Sequence, residues 1–432
     1  MGGWQPSANG PTAATPTPTG RNHALRALRH PGYRAYFVAQ GISFAGTWMQ
    51  SVALGWLVFR LTGSSLLLGS VTFASQIPTL FLAPLAGVLA DRVRLTRMVA
   101  VTQGLLALVA FTMACLIFGG WVSVPWILAL AVVGGVVSAF DQPARQTLLV
   151  ELAGPEDLSS AIALSSAAVN AARIVGPAVA GVLVAALGEA ICFLINGLTF
   201  TAPIAVALLV RPRHLRQAGR RESPLAALRS GLGYARRAPH TRTVLPLVAI
   251  TSLVAFPYLP MLPVFAGEVL RGGPELLGWL NVAVGAGSIV GALAVAALVD
   301  RRKLVPRIAV GLCCYGAGLV VLGLSREAYL SLAALPLVGF GMLSLLSSAN
   351  TVIQTDSPES MRGRVMSLYT TVLIGFFPLG ALLCGAVSDW IGVGPTIAAG
   401  GGVTLLCGAW LWRRLPALRA RGVGEGIAAH QP

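Results

Sequence analysis

A few charged and polar side chains interrupt long apolar stretches of this sequence. Side chains of these types in apolar surroundings can bind ions or polar ligands. Arg173 lies deepest, roughly 20 Å along a predicted helix. A charge at that depth in a lipid bilayer costs on the order of 3 kcal/mol or more unless it meets water, a ligand or a partner. Asn170 lies one turn earlier on the same face, and Asp141 is the nearest acidic candidate. We expect Arg173 to contact substrate or a coupling ion, with pairing to Asp141 or to helix carbonyls as the alternative.

A polar stripe runs along the first apolar stretch. Gln40, Thr47 and Gln50 recur there at helical spacing, and Asn281 occupies a comparable stretch in the second half of the chain. Side chains of this kind would lack hydrogen-bond partners in lipid. They are predicted to line a central cavity, although each one would also suit a hydrogen bond between two helices.

Composition determines which elements must position these residues. The chain has 432 residues, of which 55% are hydrophobic and only 11% charged, a balance that excludes a soluble globular protein. A spanning helix needs roughly 20 mainly apolar residues. Spans 1 to 12 are predicted at 36–59, 66–90, 98–119, 124–145, 159–187, 190–210, 243–267, 276–299, 304–324, 328–350, 365–388 and 395–412. The expected fold class is therefore an all-α membrane protein.

The net charge of +16 is distributed unevenly about these spans. Lys and Arg fall in the tails and in the loops that follow even-numbered spans, apart from Arg60, Arg271, Arg326 and the intramembrane Arg173. This bias is the positive-inside pattern. It predicts a multi-pass protein of the cytoplasmic membrane with both termini in the cytoplasm, and it disfavours nucleic acid as a partner.

The long basic stretch between spans 6 and 7 divides the chain. Its leucines and arginines recur at helical spacing from Leu225 to Arg237, which predicts an amphipathic helix on the anionic membrane surface or, equally, a solvated linker. The predicted organisation is a disordered tail, an N-terminal bundle, a basic central loop, a C-terminal bundle and a second tail, at 1–33, 34–210, 211–242, 243–414 and 415–432.

The two halves repeat one another. Asp91-Arg92 and Asp300-Arg301 each end an apolar run and stand 209 residues apart, and Pro177 and Pro378 stand 201 apart. Six-span repeats related by an axis along the membrane normal are a known way to build secondary transporters. The repeats predict twelve helices in two pseudo-symmetric six-helix bundles.

Several motifs carry a family resemblance. Gly-x-x-x-Asp-Arg at 87–92, Phe-Asp-Gln-Pro-Ala-Arg at 140–145, Asn170 through Gly176-Pro177, and Met-Arg-Gly-Arg at 361–364 resemble the major facilitator superfamily, in the branch that includes bacterial siderophore and macrolide exporters. The resemblance covers about residues 34–414. It implies the major facilitator fold and one chain that transports on its own.

The resemblance also implies roles for particular residues. The two Asp-Arg pairs would latch a cytoplasmic gate, although they would also serve merely to orient their loops. Gly176, Pro177 and Gly181 resemble an antiporter-associated motif, and small residues at such spacing permit close helix approach whether or not they affect transport. The resemblance implies proton coupling, for which Asp141 is the candidate carrier because residues 127–137 of span 4 hold no charge.

The sequence thus predicts an exporter of small amphipathic molecules such as drugs, siderophores or secondary metabolites. It predicts lipids and protons as further partners, with no cofactor, metal site or ATP-binding loop. A nutrient uptake transporter is the alternative. A membrane scaffold or enzyme is disfavoured because no nucleophile and base group together at one depth.

Overall fold

The computed structural model describes residues 25–210, 224–297, 300 and 303–428, with side chains left undescribed at 83, 84, 91, 224–228, 360 and 417–428. Within this part, twelve helical segments are long and apolar enough to cross a membrane, as predicted. In chain order they comprise Pro31–Thr62, Ser65–Arg92, Leu95–Phe118, Val124–Ala153, Leu158–Leu187, Glu189–Thr199 with Thr201–Leu209, Pro239–Val254 with Tyr258–Val264 and Phe265–Val269, Pro274–Ala296, Leu304–Leu324, Ala328–Asp356, Glu359–Ile391 and Val393–Ala428.

Spans 1 to 6 and spans 7 to 12 form the two predicted six-helix bundles, here called the N-half and the C-half. The side that holds the two ends of the described chain and the central linker is called the termini side, and the opposite side is called the far side. Odd-numbered spans run from the termini side to the far side. The halves meet mainly where span 2 packs on span 11 and where span 5 packs on span 8. These two pairs are equivalent under the pseudo-symmetry, because they exchange when the halves are interchanged.

Local sequence sets where the helices begin and end. Spans 1, 4 and 8 each have proline in their first turn, where its missing N–H is not needed. Span 1 ends at Gly63, whose left-handed φ of 62° lets its N–H bond to the Phe59 carbonyl. Ser64 then caps span 2 by accepting the Leu67 N–H at 3.2 Å. Spans 1 and 2 are therefore joined by a tight turn.

The outer surface of the bundles is apolar. Phe81, Leu209 and Leu406 are more than two-thirds exposed, as expected of side chains that face lipid. Trp390 and Tyr329, each 87% exposed, lie at the far side, where amphipathic rings favour the interface between lipid and water.

The described structure includes part of the predicted N-terminal tail. Residues Arg26–Arg29 form a short 3-10 helix that packs against the connection between spans 4 and 5. There Asp157 pairs with Arg26 at 3.3 Å and with His30 at 3.1 Å, and Ser160 Oγ accepts the Ala27 N–H at 3.2 Å. These polar contacts fix Arg26, Ala27 and His30, which the prediction placed in the tail.

The helices next to the central linker and at the end of the chain are longer than predicted. A helix at Pro224–Arg237, the linker helix, confirms the periodicity read there. The hydroxyl of Tyr234 donates to the Asp356 carbonyl at 2.8 Å, so this helix packs on the C-half and is not a solvated linker. Span 7 already begins at Pro239, and the last helix continues to Ala428, beyond the predicted limits of 242 and 414.

Glycine permits close contact between the halves. A Cβ added at Gly278 of span 8 would lie 2.9 Å from the Pro177 carbonyl oxygen and 3.1 Å from the Gly181 Cα of span 5. At the equivalent position, Gly69 of span 2 lies against the backbone of span 11, with Ala381 as its nearest neighbour. Both contacts lie towards the far side, so the halves are held together there.

We expect Gly278→Ala to lower the melting temperature of the purified protein, because its new methyl group meets backbone atoms that cannot rotate away. Overpacking of this kind costs about 1–3 kcal/mol. The matched control is Gly41→Ala in span 1, where an added Cβ has nothing within 4 Å. Alanine there should leave the melting temperature unchanged or raise it. Equal melting temperatures for the two variants would contradict the tight contact.

Candidate functional site

A cavity of about 220 Å³ lies between the two halves. Its wall is mainly apolar and aromatic, with three polar side chains, and the residues used below are Trp48, Gln76, Arg173, Phe256, Asn281 and Phe377. An adjoining cavity of about 320 Å³ shares Trp48, Gln76 and Asn281 and extends to Ser51 of span 1. Pockets of this composition suit small organic ligands.

Arg173 is the cation of this cavity. Its guanidinium carbon lies 5.1 Å from the centre of the Trp48 ring, a cation–π contact. Its buried Nε has no hydrogen-bond partner, and no carboxylate of the described residues forms an ion pair with it. A positive charge inside a membrane protein is costly without an anion nearby, so this site favours the binding of an anionic group.

Gly176 explains how Arg173 reaches Trp48. A Cβ at Gly176 would lie 2.6 Å from the Trp48 Cβ and 2.7 Å from the Ala45 carbonyl oxygen, so only glycine lets spans 5 and 1 approach this closely. Arg173 stands three residues before Gly176, on the same face of the helix. The predicted motif thus has two contacts: Gly176 packs within the N-half, whereas Pro177 and Gly181 pack on the C-half.

Asp141 does not pair with Arg173. It is 1% exposed and forms a 2.6 Å ion pair with Arg145, one turn further along span 4. It also accepts hydrogen bonds from Thr102 Oγ1 at 2.8 Å and from Gln103 Nε2 at 2.9 and 3.0 Å. This pairing excludes one of the two alternatives considered for Arg173.

Gln40 belongs to the same buried network and not to the cavity. Its Oε1 accepts from Arg145 Nη1 at 3.3 Å, and its Nε2 donates to the Tyr36 hydroxyl at 3.4 Å. The cavity prediction for Gln40 was therefore wrong, because the buried Arg145 supplies the polar partner. The network, defined by Tyr36, Gln40, Asp141 and Arg145 with the two donors from span 3, joins spans 1, 3 and 4.

The other predicted polar residues divide between packing and lining. Gln50 accepts a 2.6 Å hydrogen bond from Asn196 of span 6, so it also joins helices instead of lining the cavity. Thr47 is exposed and bonds back to its own helix. Asn281 lines both cavities, as predicted. Asn170 is half-buried on the termini side of Arg173, and its Nδ2 donates a solvent-exposed hydrogen bond to the Ser166 carbonyl at 2.9 Å.

The two Asp-Arg pairs lie on the termini side. Arg92 ends span 2 and is exposed, and Asp300 is exposed in the connection between spans 8 and 9. The Asp91 side chain and Arg301 lie outside the described residues. The structure therefore places these loops on the side where a gate was predicted without testing the latch.

Sequence analysis missed the aromatic wall. Phe256 and Phe377 each precede a proline that interrupts or bends its span, Pro257 and Pro378. Phe256 lies where the helix of span 7 is interrupted between Val254 and Tyr258, and an aromatic residue at such an interruption is a signal that points to a cavity. Gln76 and Trp48 carried no comparable signal.

The chain resembles known transport proteins along most of its length. A family model described as transmembrane secretion effector matches residues 22–423. The multidrug efflux pump Tap of Mycolicibacterium fortuitum is 29% identical over 82% of this chain and 88% of its own length. The staphyloferrin A transporter of Staphylococcus aureus is 24% identical over 86% and 93%.

Solved structures share the fold. A bacterial homologue of the human lysosomal transporter Spinster, inward-facing and unoccupied, aligns with a TM-score of 0.69 at 15% identity, over 93% of this chain and 98% of its own. The nucleoside transporter NupG aligns with a TM-score of 0.69 at 12% identity, over 88% and 98%. At these identities the likeness concerns the fold alone.

We expect Arg145→Gln to lower the melting temperature markedly, because it leaves the buried Asp141 carboxylate without its cation. Breaking such a pair costs about 3–5 kcal/mol. The double variant Asp141→Asn with Arg145→Gln should recover much of this loss, since both charges are then removed. Arg326→Gln, in the exposed turn between spans 9 and 10, serves as the matched control. A single variant as stable as this control would exclude a structural ion pair.

Proposed function

Because this chain belongs to the transmembrane secretion effector family of major facilitator transporters, we propose that it exports small amphipathic organic molecules across the cytoplasmic membrane. The observation that carries the proposal is the central cavity between the halves, whose apolar wall contains one unpaired cation, Arg173. Such a site suits a ligand held at mid-membrane depth. The efflux pump and the staphyloferrin A transporter described above also resemble the chain along most of its length.

Alternating access is the proposed mechanism. The glycine contacts of spans 2 and 8 hold the halves together on the far side, while the side-chain hydrogen bond of Asn170, one turn from Arg173 towards the termini side, is open to solvent. With the termini in the cytoplasm, as the charge bias favours, this arrangement is the inward-facing state. Rocking of the halves would then open the far side and present the ligand outside.

The cavity chemistry favours an amphipathic substrate with a negative or acceptor group. Arg173 supplies a desolvated charge at one side of the wall, and Phe256 and Phe377 supply apolar contacts. Asn281 adds a side-chain oxygen, because its amide nitrogen already donates to the Leu277 carbonyl at 2.9 Å. Desolvated charge-assisted bonds are stronger than neutral ones, so Arg173 would dominate orientation.

Proton-driven antiport is the proposed energy source, on the strength of the family resemblance. Asp141 is poorly placed as the carrier, since every bond described above occupies its carboxylate within the N-half and away from the cavity. The loops of Asp91-Arg92 and Asp300-Arg301 remain the proposed gate of the termini side. In that role they would engage when the halves close there and the far side opens.

Transport by purified protein in liposomes tests the proposal. Siderophores, macrolides and amphipathic dyes would be screened with and without an imposed proton gradient, in vesicles whose protein orientation has been determined. We expect gradient-dependent movement from the termini side to the far side. Movement in the opposite direction would establish uptake instead, and movement that ignores the gradient would remove proton coupling.

We expect Arg173→Gln to weaken binding of an amphipathic carboxylate dye about 10- to 100-fold, the loss of one hydrogen bond to a charged group. Binding of the matching neutral amide should be unchanged. The melting temperature should not fall, because no protein anion loses its partner. Arg173→Lys keeps the charge and should retain most of the affinity. If both dyes weaken equally, or if Arg173→Gln fails to accumulate while Arg173→Lys behaves like wild type, the residue is structural.

A further inference from the structure

Asp389, near the far end of span 11, bonds across to the first turn of span 2. Its Oδ1 accepts the Ser65 N–H at 2.7 Å, and its Oδ2 accepts the Ser64 hydroxyl at 2.8 Å and the Leu66 N–H at 3.3 Å. The first N–H groups of a helix have no partner within the helix. Here the C-half supplies that partner to a helix of the N-half.

Charge strengthens this contact. The start of a helix carries a partial positive charge, and a carboxylate placed there is stabilised both by this dipole and by charge-assisted hydrogen bonds. Ser64 already satisfies Leu67, the next donor of span 2, so Asp389 completes the cap. The bonds join residues more than 320 positions apart and lie at the far-side contact between the two halves.

The contact also reinforces a particular pair of spans. Beneath Asp389, a Cβ added at Gly385 would lie 2.5 Å from the Ser65 carbonyl oxygen, and Gly69 lies equally close to span 11. The pseudo-equivalent contact of spans 5 and 8 has no such carboxylate: span 8 starts at Gly273 without a side-chain cap, and Gly188 stands 201 residues before Asp389. On the far side, the contact between spans 2 and 11 therefore includes polar bonds, whereas the contact between spans 5 and 8 is apolar.

A second carboxylate opposes the first. Glu268, at the end of span 7, lies close enough to Asp389 for the two negative charges to repel. Both carboxylates belong to the C-half, so this repulsion does not separate the halves; it raises the cost of the Asp389 charge, which the positive start of span 2 offsets.

We propose that Asp389 is a positioning residue for transport: it latches the far side closed by capping span 2, and its release is part of opening to that side. The proposal rests on the proposed function in so far as the two halves rock. In this role Asp389 shifts the equilibrium between the inward-facing and outward-facing states and does not contact substrate.

Labelling of a buried reporter tests the latch without any substrate. In a background with the six native cysteines replaced, Leu68→Cys is introduced in span 2, where the native side chain is 4% exposed and lines the cavity between the halves. A membrane-impermeant maleimide is applied from the far side. We expect Asp389→Ala to raise the labelling rate at least about threefold, Asp389→Asn to raise it less, and Asp389→Glu to stay near wild type.

Two controls isolate the effect. Glu327→Ala removes another exposed carboxylate on the far side, at a residue whose backbone bonds to Ser325 within the C-half, and should leave labelling unchanged. Asn170→Cys, probed from the termini side, should label more slowly when Asp389 is Ala. If Asp389→Ala does not accumulate, Asp389→Asn is judged by the same criterion.

Unchanged labelling of the folded Asp389 variants would overturn the latch. A failure of the export proposal is distinguishable, since it would appear as absent transport in the wild type while reporter labelling still depends on Asp389. Where transport is measured, the latch predicts a change in kcat with little change in the affinity of the neutral and carboxylate dyes.

Discussion

A polar group buried in this apolar fold is costly unless it finds a partner within the protein, and this constraint organises the N-half. Asp141 and Arg145 satisfy each other and engage spans 1 and 3, so the polar residues most deeply buried become connections between helices. Arg173 differs from this pair, since its buried Nε has no hydrogen-bond partner and its side chain lines an open cavity. That contrast separates charge that stabilises the bundle from charge available to a ligand.

The C-half meets the same requirement differently. Its spans pack through glycine, as where a Cβ at Gly316 of span 9 would lie 2.6 Å from the Gly401 carbonyl oxygen of span 12. Close backbone packing of this kind makes these helix contacts depend on dispersion forces. The two halves share a topology while relying on different interactions.

Sequence periodicity and composition were enough to predict the spans and the repeat, and gave the linker helix as one of two alternatives, because helix length and apolar character are local properties. The cavity was harder. Gln40 and Gln50 lie in one polar stripe of span 1, which was predicted to line the cavity. Their hydrogen-bond partners are instead Arg145 and Asn196, which belong to neighbouring helices. Which side of a helix faces a neighbour depends on helix rotation, which local sequence does not specify. Arg173 was easier to identify because a cation at that depth is costly wherever the helix turns.

The separation of glycine contacts from the cavity wall has an evolutionary consequence. The spacing between the halves is fixed by Gly69 and Gly278, neither of which lines the cavity, whereas the wall is built from side chains such as Phe256 and Phe377. A substitution in the wall therefore alters the shape offered to a ligand and leaves the moving contacts intact. A scaffold arranged in this way can diverge rapidly in what it recognises while its mechanics stay constant.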